Sequence, residues 1–325
     1  AGAPDAEHRF EWRFPQLPVR EYVHAEAVEA ALGDADVVIV HEWTDPEIVA
    51  FVGRLKIRGA RFQLLFHDTH HRAVSDPAAM AAFDLSGYDG VLAFGEALAE
   101  IYRQRGWGRQ VFVWHEAADT RIFHPQAQAA PERDVVWIGN WGDGERSEEL
   151  ETFLLGPAER AGLSLTLHGV RYPEAVRARL AARGIAHRGW LANADAPGVY
   201  ARHRMTVHVP RRPYAETLPG IPTIRVFEAL ACGIPLISAP WSDSENLFRP
   251  DTDFLMVRSG TEAEAAMRLL RNEPETRKAL ARSGLARIRD RHTCAHRVDE
   301  LLEILASLSP ARRRSRGESQ GYAAP

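Results

Sequence analysis

The chain reads as a two-domain α/β protein, two Rossmann-like units facing a cleft. Three observations lead there. Short apolar runs alternate with helical stretches along most of the sequence. The alternation breaks once, at a proline-containing polar stretch, and then restarts. The length of 325 residues also exceeds the roughly 250–300 at which a single core stops growing. Strands and helices alternating at this spacing imply parallel sheets covered on both faces.

In the first unit, Val37–Val40, Phe62–Phe66, Val91–Phe94 and Val111–Trp114 read as buried strands. Helical segments lie between them near Glu47–Lys56, Ala78–Leu85 and Glu96–Arg105. The break falls at His124–Glu132, HPQAQAAPE, with the composition of a linker. Beyond it Val135–Ile138, Leu163–His168, Met205–Val209, Pro235–Ser238 and Phe254–Val257 read as strands. Glu148–Ala161, Pro222–Cys232, Thr261–Asn272 and His296–Leu308 read as helices. The expected division is residues 1–124, residues 125–309 ending in the helix His296–Leu308, and a disordered arginine-rich tail at 310–325. Ligands of such sheets bind at the carboxyl ends of strands.

Composition excludes several classes. A net charge of −4 lacks the basic footprint that nucleic-acid binding needs. No apolar run approaches the roughly 20 residues of a membrane helix, and the start has no apolar signal core. A cytoplasmic protein is expected. Two cysteines, Cys232 and Cys294, are too few for a disulfide framework and read as reduced packing residues.

The most informative stretch is LPGIPTIRVFEALACGIPLISAP, Leu218–Pro240. Pro222 fits the first turn of a helix, Gly233 its C-terminal cap, and Pro235 blocks continuation. Free N–H groups at Thr223 and Ile224 would point into the cleft, a site suited to a diphosphate. Arg225 and Glu228, three apart, share one helix face. A cleft-facing carboxylate can accept both hydroxyls of a ribose, and an arginine beside it can hold phosphate oxygens. The competing reading is an ion pair on a solvated helix.

A second cluster is FHDTHHR, Phe66–Arg72, just past a strand end. Three readings stand: a metal site, a hydrogen-bonding or general-base site for a sugar hydroxyl, and a structural network of loop histidines. Arg211, Arg212 and Tyr214 follow the strand Met205–Val209 and read either as cleft residues or as a plain surface loop.

The segment PTIRVFEALACGIPLIS resembles the donor-site signature of GT-B glycosyltransferases of the GT4 type, and more closely the CgeB-like branch. HEAADTRIFHP, His115–Pro125, is similar to the domain-junction segment N-G-V-D-x-x-x-F-x-P of that family. WIGNWGDGER, Trp137–Arg146, looks like its glycine loop. The resemblance runs from about Val37 to Leu308 and implies the GT-B architecture, with the final helix His296–Leu308 crossing back at the domain junction. It implies transfer of a sugar from a nucleotide diphosphate sugar to an unknown acceptor, with retention and without a metal or other cofactor. It places Glu228 on the donor ribose, and Gly139 and Asn140 near the diphosphate with Arg146, Thr223 and Ile224. Trp190 falls against the nucleobase. His67 and Asp68 would face the transferred sugar as catalytic residues. Many relatives carry a further glutamate eight residues before the position of Glu228; here Gly220 stands there. The family's first strand and glycine-rich loop are not found before Val37, so an incomplete N-terminal half-site is expected. Two alternatives stand beside this reading, a nucleotide-sugar-binding protein without turnover and a nucleotide-sugar epimerase.

Overall fold

The computed structural model describes residues 6–22, 24–127, 131–142 and 144–308. The expected tail at 310–325 lies outside the described residues.

Two parallel sheets follow one another along the chain. The first has strands β1 (Val37–His41), β2 (Gln63–Asp68), β3 (Gly90–Ala93) and β4 (Val111–Val113), ordered β1-β2-β3-β4. The second has β5 (Arg133–Ile138), β6 (Leu165–His168), β7 (Ala186–His187), β8 (His203–His208), β9 (Leu236–Ser238) and β10 (Leu255–Met256), ordered β10-β9-β8-β5-β6-β7. The order reverses between β5 and β8, which places a crevice at their carboxyl ends. The fold is the α/β GT-B architecture expected from the sequence.

Side-chain alternation along β2 explains how the first sheet is covered. Leu64 and Phe66 point into a core with Val49, Val52, Tyr88 and Leu98. Leu65, on the opposite face, packs with Leu92, Trp114 and the far end of the chain: Leu301, Ile304, Leu305 and Leu308. The helix Cys294–Leu308 therefore crosses back to the first sheet. Gln63 Nε2 donates to Leu305 O at 2.8 Å, and Trp114 Nε1 to Arg297 O at 2.8 Å. The crossing is fixed where Ala118 N donates to His292 O and Cys294 N to Ala118 O, both at 3.0 Å.

Several boundaries differ from expectation. The helix expected from Pro222 starts at Ile224, because Thr223 is extended (φ −77°, ψ 159°) and acts as its N-cap. Gly233 takes the left-handed φ of 67° that ends it. The helix expected over Ala78–Leu85 is only Pro77–Ala81. The segment Pro274–Arg291, without a clear apolar stripe in sequence, is an 18-residue helix. Before Val37 the described residues hold two helices, Ala6–Arg13 and Ala25–Leu32, and no strand.

Candidate active site between the two sheets

The helix Ile224–Ala231 carries the centre of the site. Val226, Phe227 and Leu230 enter the core beside β5, β9 and Phe248, and this packing turns Arg225 and Glu228 the other way. They do not form a solvated ion pair. Glu228 is only 2 % exposed. Its Oε2 accepts from Arg225 Nη1, and its Oε1 accepts from Asn193 Nδ2 at 2.8 Å. Arg225 Nη1 also donates to Asn193 Oδ1 at 2.9 Å, closing a triangle. Burial raises the Glu228 carboxyl, with Arg225 and Asn193 opposing. Burial also lowers Arg225, but Glu228 and Tyr200 outweigh it and leave the guanidinium raised.

Two cavities flank this triangle. One, of about 250 Å³, opens between the sheets. Thr69, His70 and Phe94 line it from the first half, and Gly139, Asn140, Arg146, Ile224 and Arg225 from the second. The other, of about 420 Å³, is lined by Trp190 and Ala192–Asp195 together with Phe10, Trp12 and Phe14. Arg13 Nη2 donates to Ala194 O at 3.2 Å, so the helix Ala6–Arg13 forms one of its walls. Asn193 belongs to the second cavity and touches Glu228, which joins the two.

The glycine loop after β5 is built by close contact. Gly169 has φ +149°, and a Cβ there would lie 1.9 Å from Gly139 O. A Cβ on Gly139 would meet the Trp137 ring at 2.7 Å. Asn140 Oδ1 accepts from Val170 N at 3.0 Å and holds the two loops in register. Arg146 Nη2 donates to Asn140 O at 2.7 Å and Nη1 to Val209 O at 3.1 Å, with the guanidinium 5.0 Å over the Trp137 ring. Burial pushes its pKa down to about 10, so the group still carries its charge at neutral pH. Thr223 adds no free hydroxyl: its Oγ1 meets His208 Nε2 at 3.1 Å, and His208 Nδ1 meets Ser238 Oγ at 2.9 Å. This chain ties β8 and β9 to the helix cap.

The histidine loop divides by strand face. His67 shares the face of Leu65, with its ring 4.9 Å from Trp114 and 5.4 Å from His41. Burial, then His41, lowers its pKa to about 4. Asp68 points into the core, where Oδ2 accepts from Tyr102 Oη at 2.8 Å and Oδ1 from His70 N at 2.9 Å. Burial raises it to about 7, against those two bonds. Neither His67 nor Asp68 lines the cavity, whereas Thr69 and His70 do. The period-two alternation of β2 is the reason, since it commits both side chains to packing before the loop begins. His71 is held by Ser75 Oγ at 2.8 Å. Among the described residues no three of His, Cys, Asp or Glu gather as a metal-binding group.

Gly220 has a local explanation. Its φ is +87°, and a Cβ would lie 2.6 Å from Glu245 Oε1. Glu245 spans the halves: Oε1 accepts from Glu96 N at 2.9 Å, and Oε2 lies 2.9 Å from His115 Nε2. No side chain fits at position 220 without displacing this clamp. Asn193, Glu245 and Glu116 were not singled out by sequence reasoning. Only the near-match of the His115–Pro125 segment pointed to the region of Glu116.

The two parallel sheets and the crevice between them have the GT-B fold. Residues 146–303 match the family model described as glycosyl transferase-like, which sets the enzyme class as glycosyl transfer. No curated protein matches the chain by sequence. Among solved structures, HepE of Anabaena in complex with UDP and glucose is 14 % identical, with a TM-score of 0.68 over 92 % of this chain and 89 % of that one. Sucrose-phosphate synthase of Thermosynechococcus elongatus is 18 % identical, with a TM-score of 0.62 over 88 % and 78 %. T4 phage BGT in complex with its UDP-glucose substrate is 12 % identical, with a TM-score of 0.58 over 86 % and 84 %. At these identities the likeness is one of fold. No described helix is long and apolar enough to cross a membrane.

Proposed function

We propose that the chain transfers a glycosyl group from a nucleoside diphosphate sugar to an acceptor hydroxyl. The observation that carries this is the Arg225–Glu228–Asn193 triangle, set between two cavities at the start of a helix. In this reading Glu228 accepts the ribose hydroxyls, and the base occupies the cavity beside Trp190. The diphosphate meets the Ile224 amide with Arg146 and Arg225 nearby. Those groups offset the charge that builds on the leaving diphosphate, so no metal is required for that role. The anomeric carbon breaks its bond to the diphosphate oxygen and bonds the acceptor oxygen. The acceptor proton leaves with the diphosphate. The similarity of Arg225–Gly233 to the GT4-type signature favours retention and the CgeB-like branch.

UDP-sugars are the first donors to try, because HepE and T4 phage BGT were solved with UDP-glucose. A thermal-shift screen across UDP-, GDP- and dTDP-sugars is the test. The true donor at a hundred times its Kd adds about 2.7 kcal/mol of stability. No stabilisation by any nucleoside diphosphate or its sugar would refute the reading. Hydrolysis and transfer assays on the same protein then separate turnover from binding alone. His67 and Asp68 do not line the cavity, which favours a donor affinity stronger than the turnover.

A further inference from the structure

We propose that Glu116 is the side chain that reads the transferred sugar, holding its hydroxyls through its carboxyl group. This rests on the nucleoside diphosphate sugar reading above and adds to it a specificity-determining residue.

The geometry comes first. Glu116 leaves the segment between β4 and the crossing to the second sheet. It lines the inter-sheet cavity together with Thr69 and His70 on one side and Asn140, Ile224 and Arg225 on the other. With the ribose at Glu228 and the diphosphate at the helix start, the sugar must project into this space. Glu116 Oε2 is shut off from solvent and has no hydrogen-bond partner among the described residues. Other buried acids nearby are engaged. Asp68 is held by Tyr102 and His70, Glu228 by Arg225 and Asn193, and Glu245 by Glu96 N and His115. Glu42, also buried, has His41 Nδ1 at 2.6 Å but no hydrogen-bond partner for either oxygen among the described residues; unlike Glu116, it does not line the cavity. An enclosed carboxyl with an unused oxygen is costly unless something completes it. Vicinal hydroxyls of a sugar supply both a donor and an acceptor.

The surrounding charges fix the form of the group. Burial comes first, then Glu228 and Glu42, raising the Glu116 pKa to about 8, while Arg225 pulls the other way. Tyr214 faces it from the turn after β8, and its own pKa is raised by burial and by Glu116. His70, Arg146 and Arg211 stand on the cavity wall. His70 is lowered to about 3 by burial and by His71, so it is neutral near pH 7. Glu116 is therefore largely protonated near pH 7. Its O–H donates to one hydroxyl, and its carbonyl oxygen accepts from another. A neutral acid also spares the diphosphate a like charge.

The test is calorimetric titration of the full chain with the tightest sugar of the UDP-, GDP- and dTDP-sugar panel and with its own nucleoside diphosphate. Glu116→Ala should weaken the nucleotide sugar by about tenfold or more, the scale of one or two lost hydrogen bonds. It should leave the nucleoside diphosphate within about twofold, where no hydrogen bond is lost. Glu116→Gln keeps a donor and an acceptor without a titrating proton, so it should retain most of the affinity. In wild type, nucleotide-sugar affinity should fall as pH rises through 8, and in Glu116→Gln that fall should vanish. Equal binding of the nucleotide sugar by wild type and Glu116→Ala overturns the inference. So does an equal loss for the sugar and the bare diphosphate, which would make Glu116 a nucleotide or structural group. Binding of neither ligand by wild type overturns the functional reading itself, and this inference with it.

Discussion

Glu228 concentrates two demands in one carboxylate. Each of its oxygens already has a partner in the protein, so a ribose must share or displace Arg225 and Asn193. Glu228→Gln keeps the shape and removes the charge. It should weaken nucleoside diphosphate binding by about 1–3 kcal/mol, roughly five- to a hundred-fold. At 2 % exposure the same change also leaves Arg225 without its charge partner. A lower melting temperature is therefore expected alongside weaker binding, since breaking a buried pair costs about 3–5 kcal/mol at the extreme. A 2′,3′-dideoxy nucleotide separates the two effects. It should bind wild type and Glu228→Gln alike, yet lose affinity on Arg225→Ala. Unchanged binding of the ordinary nucleotide by a folded Glu228→Gln would make the carboxylate purely structural.

At the level of elements, the loop after β5 is set by two backbones in contact. Gly169→Ala places a Cβ 1.9 Å from Gly139 O at a left-handed φ, which no side-chain rotation relieves. A loss of about 2–4 kcal/mol in stability is expected. Nucleotide binding should fall with it, because Asn140 and Arg146 hang from the same loop. Gly184→Ala, with φ +69° and open space around its Cβ, is the control for backbone strain alone. If both variants melt alike, the Gly139 contact is not what holds the loop. Much of this level was legible beforehand. Apolar runs gave the buried strands to within a residue or two, and Gly233 and Pro235 marked the end of the helix at Ile224–Ala231. What stayed hidden has a common cause. The side of β2 that His67 occupies depends on which helix covers that face, and that helix lies more than two hundred residues away. Glu116 and Asn193 acquire meaning only when distant segments converge, and no local spacing marks them. The clean amphipathic stripe at 224–231 could be read; the Pro274–Arg291 helix, with little apolar asymmetry, could not.

For the whole molecule, Glu245 makes two polar contacts across the two halves, beside the apolar ones. Burial comes first in raising its carboxyl. His115, lowered to about 4 by burial and then by Arg297, is neutral near pH 7, and its Nε2 lies 2.9 Å from that carboxyl. Glu245→Ala removes both contacts. Hydrogen exchange at the Glu96 amide should rise about tenfold or more, the equivalent of roughly 1.4 kcal/mol in local opening. Exchange in β2 and β3 should stay slow. Unaltered protection at Glu96 would show that the halves are held by their other contacts, Tyr214, Leu218 and Ile221 in the core of the first half.

The helix Cys294–Leu308 carries a consequence for how the chain is made. It covers Leu65 and Leu92, which are translated some two hundred residues before it. On the ribosome the first half emerges early but cannot complete its core. One face of its sheet stays uncovered while the whole second half is synthesised, a period of roughly ten seconds or more at cellular elongation rates. The half that is born first is thus the half that is finished last. During that interval its exposed leucines are open to chaperones, and a chain cut short before Cys294 would leave them uncovered.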